Sequence, residues 1–107
     1  MSTTLRNEFK KLQCWLFEAA LPRWSKTGVD DARGGFFEKI ELNGVPGDGP
    51  RRTRLVAWEI YSFIVAVETG WSGSVDEVAA HGLRFFRDRC ISAEEPVYSI
   101  VSVDGPP

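Results

Sequence analysis

Apolar residues recur at three- and four-residue spacing through the first twenty positions: Leu5, Phe9, Leu12, Leu16 and Ala19, with Trp15 and Ala20 widening the stripe. That is the period of a helix with one apolar face. It predicts a first helix over about Thr4 to Leu21, ended or kinked at Pro22. Ser25 to Arg33 is polar and rich in Gly and Asp, and reads as loop. From Gly34 the pattern changes to alternation, with Ile40 and Leu42 on one face, and Asn43-Gly44 supplies a turn. Pro46, Gly47, Gly49 and Pro50 leave room for a short hairpin and then loop. A second helix follows, about Arg52 to Thr69, stopped by Gly70. Between Leu55 and Val67 only Glu59 and Ser62 are polar, which predicts burial on nearly every side. A chain this short has little with which to cover such a helix.

The third helix opens with Ser74-Val75-Asp76-Glu77, the spacing of a capping box. Val78, Leu83, Phe86 and Cys90 continue its apolar stripe, and Ile91 to Pro96 is a connector. The chain closes with Val97-Tyr-Ser-Ile-Val-Ser-Val103, which alternates like a half-buried strand, and then Asp104-Gly105, a hairpin-turn signal. A hairpin turn needs a returning strand, and the sequence ends two prolines later. Gly35 to Gly44 and Pro96 to Gly105 also match each other over ten residues, each after an amphipathic helix. The order helix, hairpin, helix, helix, hairpin therefore reads as an array of units that cannot bury their faces alone.

With 107 residues the chain makes one small domain at most. Its 43% hydrophobic and 26% charged content is that of a globular protein, not a disordered one. A net charge of -2 supplies no basic field for nucleic acid or an acidic membrane. The run Arg51-Arg52-Thr53-Arg54 reads as a solvated helix entrance, the alternative being an anion site. No apolar stretch is long enough to span a bilayer, and the N-terminal residues do not form a signal peptide. Cys14 and Cys90 are far apart and on helical patterns, which points to two buried free thiols in a cytoplasmic protein.

Chemistry-bearing patterns are sparse. Asp30-Asp31 and Glu94-Glu95 read as loop acids without metal or glycosidase spacing, and no phosphate loop, zinc motif or Ser-His-Asp arrangement appears. No cofactor is expected. A buried Glu59 needs a partner, which the sequence does not identify. His81 is the single histidine and reads as a helix-surface residue.

The segments LFEAALPRWSKTGVDDARGGFFEKIELNG and RRTRLVAWEIYSF, followed by Gly70-Trp71, resemble the N-acylglucosamine 2-epimerase family. Trp24, Gly28, Asp30 or Asp31, Gly34-Gly35-Phe36-Phe37, Tyr61 and Gly70-Trp71 carry the likeness. It implies a mainly α fold: an N-terminal fragment of an (α/α)6 toroid, about three helices with short β-hairpins, residues 1–107 forming roughly the first quarter of the ring. It also implies a sugar epimerase or isomerase that moves a proton at C2 of an aldose or N-acyl hexosamine. Such chemistry needs bases of near-neutral pKa and a group facing the developing oxyanion. The family's catalytic histidines would lie beyond Pro107, so no catalytic residue is assigned here. Its active-site arginine belongs to a stretch like Val-Gln-Ala-Arg-Gln-Ile-Tyr, and Trp58 stands in that arginine's place. Indole carries one N–H and no charge, so it cannot replace guanidinium at an oxyanion. Trp58 then reads as a core aromatic, or else as a sugar-stacking platform. Tyr61 and Arg54 complete the expected substrate-binding set.

The resemblance implies a monosaccharide or disaccharide partner and an isolated chain that is inactive. The alternative is a non-catalytic remnant that folds by self-association or with a companion chain, through exposed apolar helix faces. A different α/α-toroid enzyme, such as a glycoside hydrolase, lacks its acid pair here.

Overall fold

A computed structural model describes residues 2–92 and 97–102; Glu94-Glu95, Pro96 and the Asp104-Gly105 turn lie outside them. The element order is α1 (Thr3–Trp15), a π turn (Leu16–Ala20), α2 (Leu21–Lys26), β1 (Arg51–Arg52), α3 (Thr53–Glu68), α4 (Val75–Phe85), a second π turn (Phe86–Cys90) and β2 (Ile100–Val101). The fold is mainly α, as the periodicities predict.

Pro22 does not end the first helix. It sits in the opening turn of α2, where its missing N–H costs nothing, and the π turn before it absorbs the ring. The helical segment therefore runs on to Lys26, five residues beyond the expected end at Leu21. Its start is fixed by Ser2, whose side chain accepts from the Leu5 N–H at 3.1 Å. Ser74 occupies the corresponding place before α4 but makes no side-chain cap bond, so the capping box is present in sequence and unused.

The core lies between α3 and α4, under the Gly34–Phe37 segment. Val56, Ile60, Phe63 and Ala66 form one face of α3. Val78, Ala79, Gly82 and Phe85 form the opposing face of α4. Phe36 and Trp71 lie on either side of Phe63, with ring centroids about 6 Å apart in both pairs. Leu83, expected in the α4 stripe, is more than half exposed, because Ala79 and Gly82 make the close approach instead. Gly34 and Gly35 both have positive φ, and a Cβ on Gly35 would stand 2.9 Å from the Phe85 ring. Only glycine fits that corner.

Asn43-Gly44 turns the short hairpin: Ile40 bridges Pro46, and Glu41 N–H donates to the Val45 carbonyl at 2.8 Å. Leu42 is not on an inner face with Ile40; it is fully exposed at the turn. The terminal strand finds its partner far back in the chain. β2 pairs antiparallel with β1, Arg51 opposite Val101 and Arg52 opposite Ile100.

The expected burial of α3 on nearly every side and that of Cys14 are overturned. α3 is buried along one face only, with Trp58, Tyr61 and Ile64 exposed on others. No residue of α1 is buried, and Leu5, Phe9, Leu12 and Trp15 are each more than half exposed. Cys14 is exposed with them, while Cys90 is buried as expected.

Candidate functional site

α3 carries the residues expected to meet substrate. Arg54, Trp58 and Tyr61 are four and three residues apart, so they fall on one side of the helix, spread over ~10 Å of its axis. The structure brings all three together on the face turned away from α4. Trp58 is 61% exposed and Tyr61 69% exposed, and Arg54 is exposed with no ion-pair partner among the described residues. Trp58 is therefore not a core aromatic of this chain. The reason is positional: the core side of α3 runs through Val56, Ile60 and Phe63, and residue 58 falls opposite it. Ser62 does not reach out to a ligand; its hydroxyl donates back to the Trp58 carbonyl at 2.8 Å. Tyr61 also borders a groove of about 280 Å³ formed with Leu16, Phe17, Leu21 and Val65.

At the N-terminal end of α3 lies a second concavity of about 330 Å³, bordered by Glu38, Lys39, Asp48, Arg51, Arg52 and Ile100. It is charged and internally compensated. Arg51 is not solvated: its Nη2 donates to Asp30 Oδ2 at 2.8 Å, and its guanidinium lies 4.9 Å from the Phe37 ring centre. Asp30, expected as a loop acid, is buried and also accepts from the Ala32 and Arg33 backbone N–H groups and from Arg33 Nε. Arg33 in turn reaches Asp48 at 2.8 Å and, as its nearest partner, holds that carboxyl below the usual carboxylate range. Arg52 donates through its backbone N–H and its Nε to Glu38. Two arginines of the basic run, Arg51 and Arg52, are thus held in ion pairs, and only Arg54 stands exposed at the helix entrance. The sequence hides this because the acids that neutralise those two are fourteen and twenty-one residues upstream.

Glu59 faces this region rather than the open face. Its Oε2 is buried without a hydrogen-bond partner. Burial pushes its pKa up to about 8, Glu38 adds to the rise, and Arg51 opposes it. The carboxyl is therefore neutral at pH 7. His81 is half-buried, with Nε2 2.8 Å from the Gly35 carbonyl oxygen and its ring edge-on to Phe36. It ties α4 to the hairpin entry and is not a plain surface residue.

Chemically, the α3 face offers an indole plane, a phenol and a guanidinium. These can stack on C–H groups and bond hydroxyls, but the face holds no pair of bases for moving a proton between two sides of a carbon. Among the described residues no group of three or more His, Cys, Asp or Glu side chains is placed to hold a metal ion. None of their helices is long and apolar enough to cross a membrane.

Comparison with known proteins places the chain. Residues 35–105 match the family model of N-acylglucosamine 2-epimerase. A mannose-6-phosphate isomerase of Rhizobium meliloti (strain 1021) is 36% identical over 96 residues, 89% of this chain and 24% of that protein. The crystal structure of a sugar epimerase from a ruminal bacterium superposes with a TM-score of 0.77 at 22% identity, over 92% of this chain and 25% of that one. The chain thus spans about a quarter of each relative's length, and the structural likeness speaks for the fold. With the family model covering most of the chain, the protein belongs to the N-acylglucosamine 2-epimerase family.

Proposed function

We propose that this chain is an N-terminal unit of a cytoplasmic sugar epimerase or isomerase, a partial (α/α)6 toroid whose α3 face forms part of a wall against a monosaccharide or disaccharide. The observation that carries this reading is the shared, uncovered side of α3 bearing Arg54, Trp58 and Tyr61. An aromatic plane beside a phenol and a guanidinium suits the alternating C–H and O–H surface of a sugar. The isolated chain is inactive in this reading. Its single histidine is held at the Gly35 carbonyl, and Trp58 cannot stabilise an oxyanion as an arginine does.

The test is an NMR titration of the chain with mannose, N-acetylmannosamine and cellobiose, following the four indole N–H signals. Trp58 is expected to shift selectively at millimolar sugar, and Trp58→Ala to abolish the response without loss of fold. Unmoved indole signals with all three sugars refute the wall. Deuterium uptake at C2 in heavy water, catalysed by the chain alone, refutes its inactivity.

A second reading is favoured by the uncovered apolar stripe of α1. On it the chain is a non-catalytic remnant of the family that folds by self-association or with a companion chain.

A further inference from the structure

Arginines gather where the hairpin segment meets the start of α3, and most of them are paired. Arg33 pairs with Asp30 and Asp48, Arg51 with Asp30, and Arg52 with Glu38. Three guanidinium charges thus stand against three carboxylates, all drawn from residues 30–48 of this chain. Arg54 is the exception. It is exposed, and its guanidinium has neither ion pair nor hydrogen bond among the described residues. The first acid of α3, Glu59, is five positions on, well round the helix from Arg54, and half-buried.

A cation in the first turn of a helix opposes the helix dipole, and α3 has no acid in that turn to offset it. Arg54 therefore does nothing for α3 that an uncharged residue would not do better. A neutral sugar does not call for it either, because a Gln or Asn amide donates to hydroxyls without opposing the dipole. A guanidinium left without a counter-charge is matched by an anion, and its forked donors fit the oxygens of a phosphate.

Position says how that anion is attached. Arg54 lies one turn before Trp58, about 6 Å along the helix axis, on the same open side of α3. Helical side chains lean towards the N-terminus, so the long arginine extends the gap from the indole. A carboxylate fixed directly on a sugar ring falls short of it. A phosphoryl group on the exocyclic oxygen, three bonds off the ring, spans it. We propose that the α3 face takes a sugar carrying a phosphate monoester, its ring stacked on Trp58 and its phosphoryl oxygens held by Arg54. Arg52 cannot take that role, because Glu38 already occupies it. The inference rests on the reading of α3 as a sugar wall and names the class of sugar: the side open to a ring at Trp58 and Tyr61 is open to the ring's substituent at Arg54.

An NMR titration of the chain with mannose, mannose 6-phosphate, mannuronate and inorganic phosphate, read at the Trp58 indole N–H, tests it. Mannose 6-phosphate is expected to reach half-saturation at about a tenth of the mannose concentration in ~20 mM salt, the gap closing towards ~300 mM as exposed charges are screened. Mannuronate is expected to follow mannose, and inorganic phosphate alone to leave the Trp58 signal in place. In Arg54→Gln the midpoints for mannose and mannose 6-phosphate are expected to coincide. Arg54→Lys, which keeps the charge and loses the fork, is expected to retain part of the preference. Both changes fall on an exposed side chain, so the thermal midpoint is expected to hold. Equal answers of Trp58 to mannose and mannose 6-phosphate overturn the phosphate assignment and leave the sugar wall standing. Silence with every sugar overturns both. A preference that survives Arg54→Gln overturns the role of Arg54. Mannuronate as tight as mannose 6-phosphate overturns the choice of phosphate over carboxylate. A Trp58 shift produced by inorganic phosphate alone at the same concentrations overturns the joint site.

Discussion

Arg51 Nη2 sits 2.8 Å from Asp30 Oδ2, and the two side chains are 1% and 3% exposed. The bond joins the first strand residue to a loop twenty-one positions earlier. Asp30 already accepts three hydrogen bonds from Ala32 and Arg33, so the loop is curled around the carboxylate before the arginine arrives. Truncating one partner leaves the other charge buried and unpaired, which costs roughly 3–5 kcal/mol. A domain of this size has about 5–15 kcal/mol to lose. Arg51→Ala and Asp30→Ala are each expected to lower the urea midpoint steeply or to prevent folding. The double variant is expected to lose less than the sum of the two, because no lone charge remains. Additive losses would mean that the pair does not act as a unit.

Glu59 makes stability depend on pH with an unusual sign. Most carboxylates in a folded protein are held below their free pKa and lose stability in acid. Burial raises this one from 4.5 to about 8. Below about pH 4.5 both folded and unfolded chains hold the proton and the group is silent. Between there and pH 8 the folded chain keeps the proton that the unfolded chain releases. Stability therefore falls as pH rises through that window, by up to about 1.4 kcal/mol per unit, and levels off above about pH 8. Glu59→Gln keeps the shape of the neutral acid. It is expected to match the parent near pH 5 and to exceed it by about 2–4 kcal/mol near pH 9. Urea titrations at about pH 5, 7 and 9 decide the matter. Equal dependence on pH in both proteins would clear Glu59 of the effect.

Much of the fold is legible in the sequence because periodicity reports which side of an element meets apolar neighbours. The extent of α3, the Asn43-Gly44 turn and the Gly70 stop all follow from local pattern, and Gly70 does take a positive φ. The errors share a cause. Periodicity says that a side is apolar but not that something covers it, so it over-predicts the burial of α3 and of Cys14. The Pro22 boundary fails because a proline in an opening turn is tolerated once a π turn precedes it. Of the candidate site, the choice of Arg54, Trp58 and Tyr61 comes from the family resemblance, and helical spacing puts them on one side of α3. The network of Asp30, Arg33, Asp48 and Arg51 does not, since ion pairs over fifteen and more residues leave no mark in a local window.

Gly82 sets two effects against each other. Alanine is the better helix former by about 1 kcal/mol, so Gly82→Ala in isolation favours α4. Here a Cβ would meet Ile60 Cγ1 and the Phe36 ring at 2.7 Å. Both neighbours are core residues with little freedom to retreat. Overpacking of this kind costs roughly 1–3 kcal/mol and outweighs the gain in propensity. Gly82→Ala is expected to lower the thermal midpoint, and Leu83→Ala, on the exposed side of the same helix, to leave it nearly unchanged. An unchanged or raised midpoint for Gly82→Ala would show that α3 and α4 can move apart at this crossing.

The two cysteines provide a readout of folding that needs no mutation. Cys14 is exposed on α1, whereas Cys90 is fully buried at the end of the second π turn. Burial pushes the Cys90 thiol up, against smaller opposing effects from a Thr53 hydrogen bond and the Arg89 charge. A thiol reagent attacks the thiolate, so a buried group of raised pKa is protected twice over. One equivalent is expected to react within seconds in buffer, and the second only at the rate at which the Cys90 region opens. Prompt modification of both thiols in the native chain would mean that the contact of β2 with the end of α4 is open in solution.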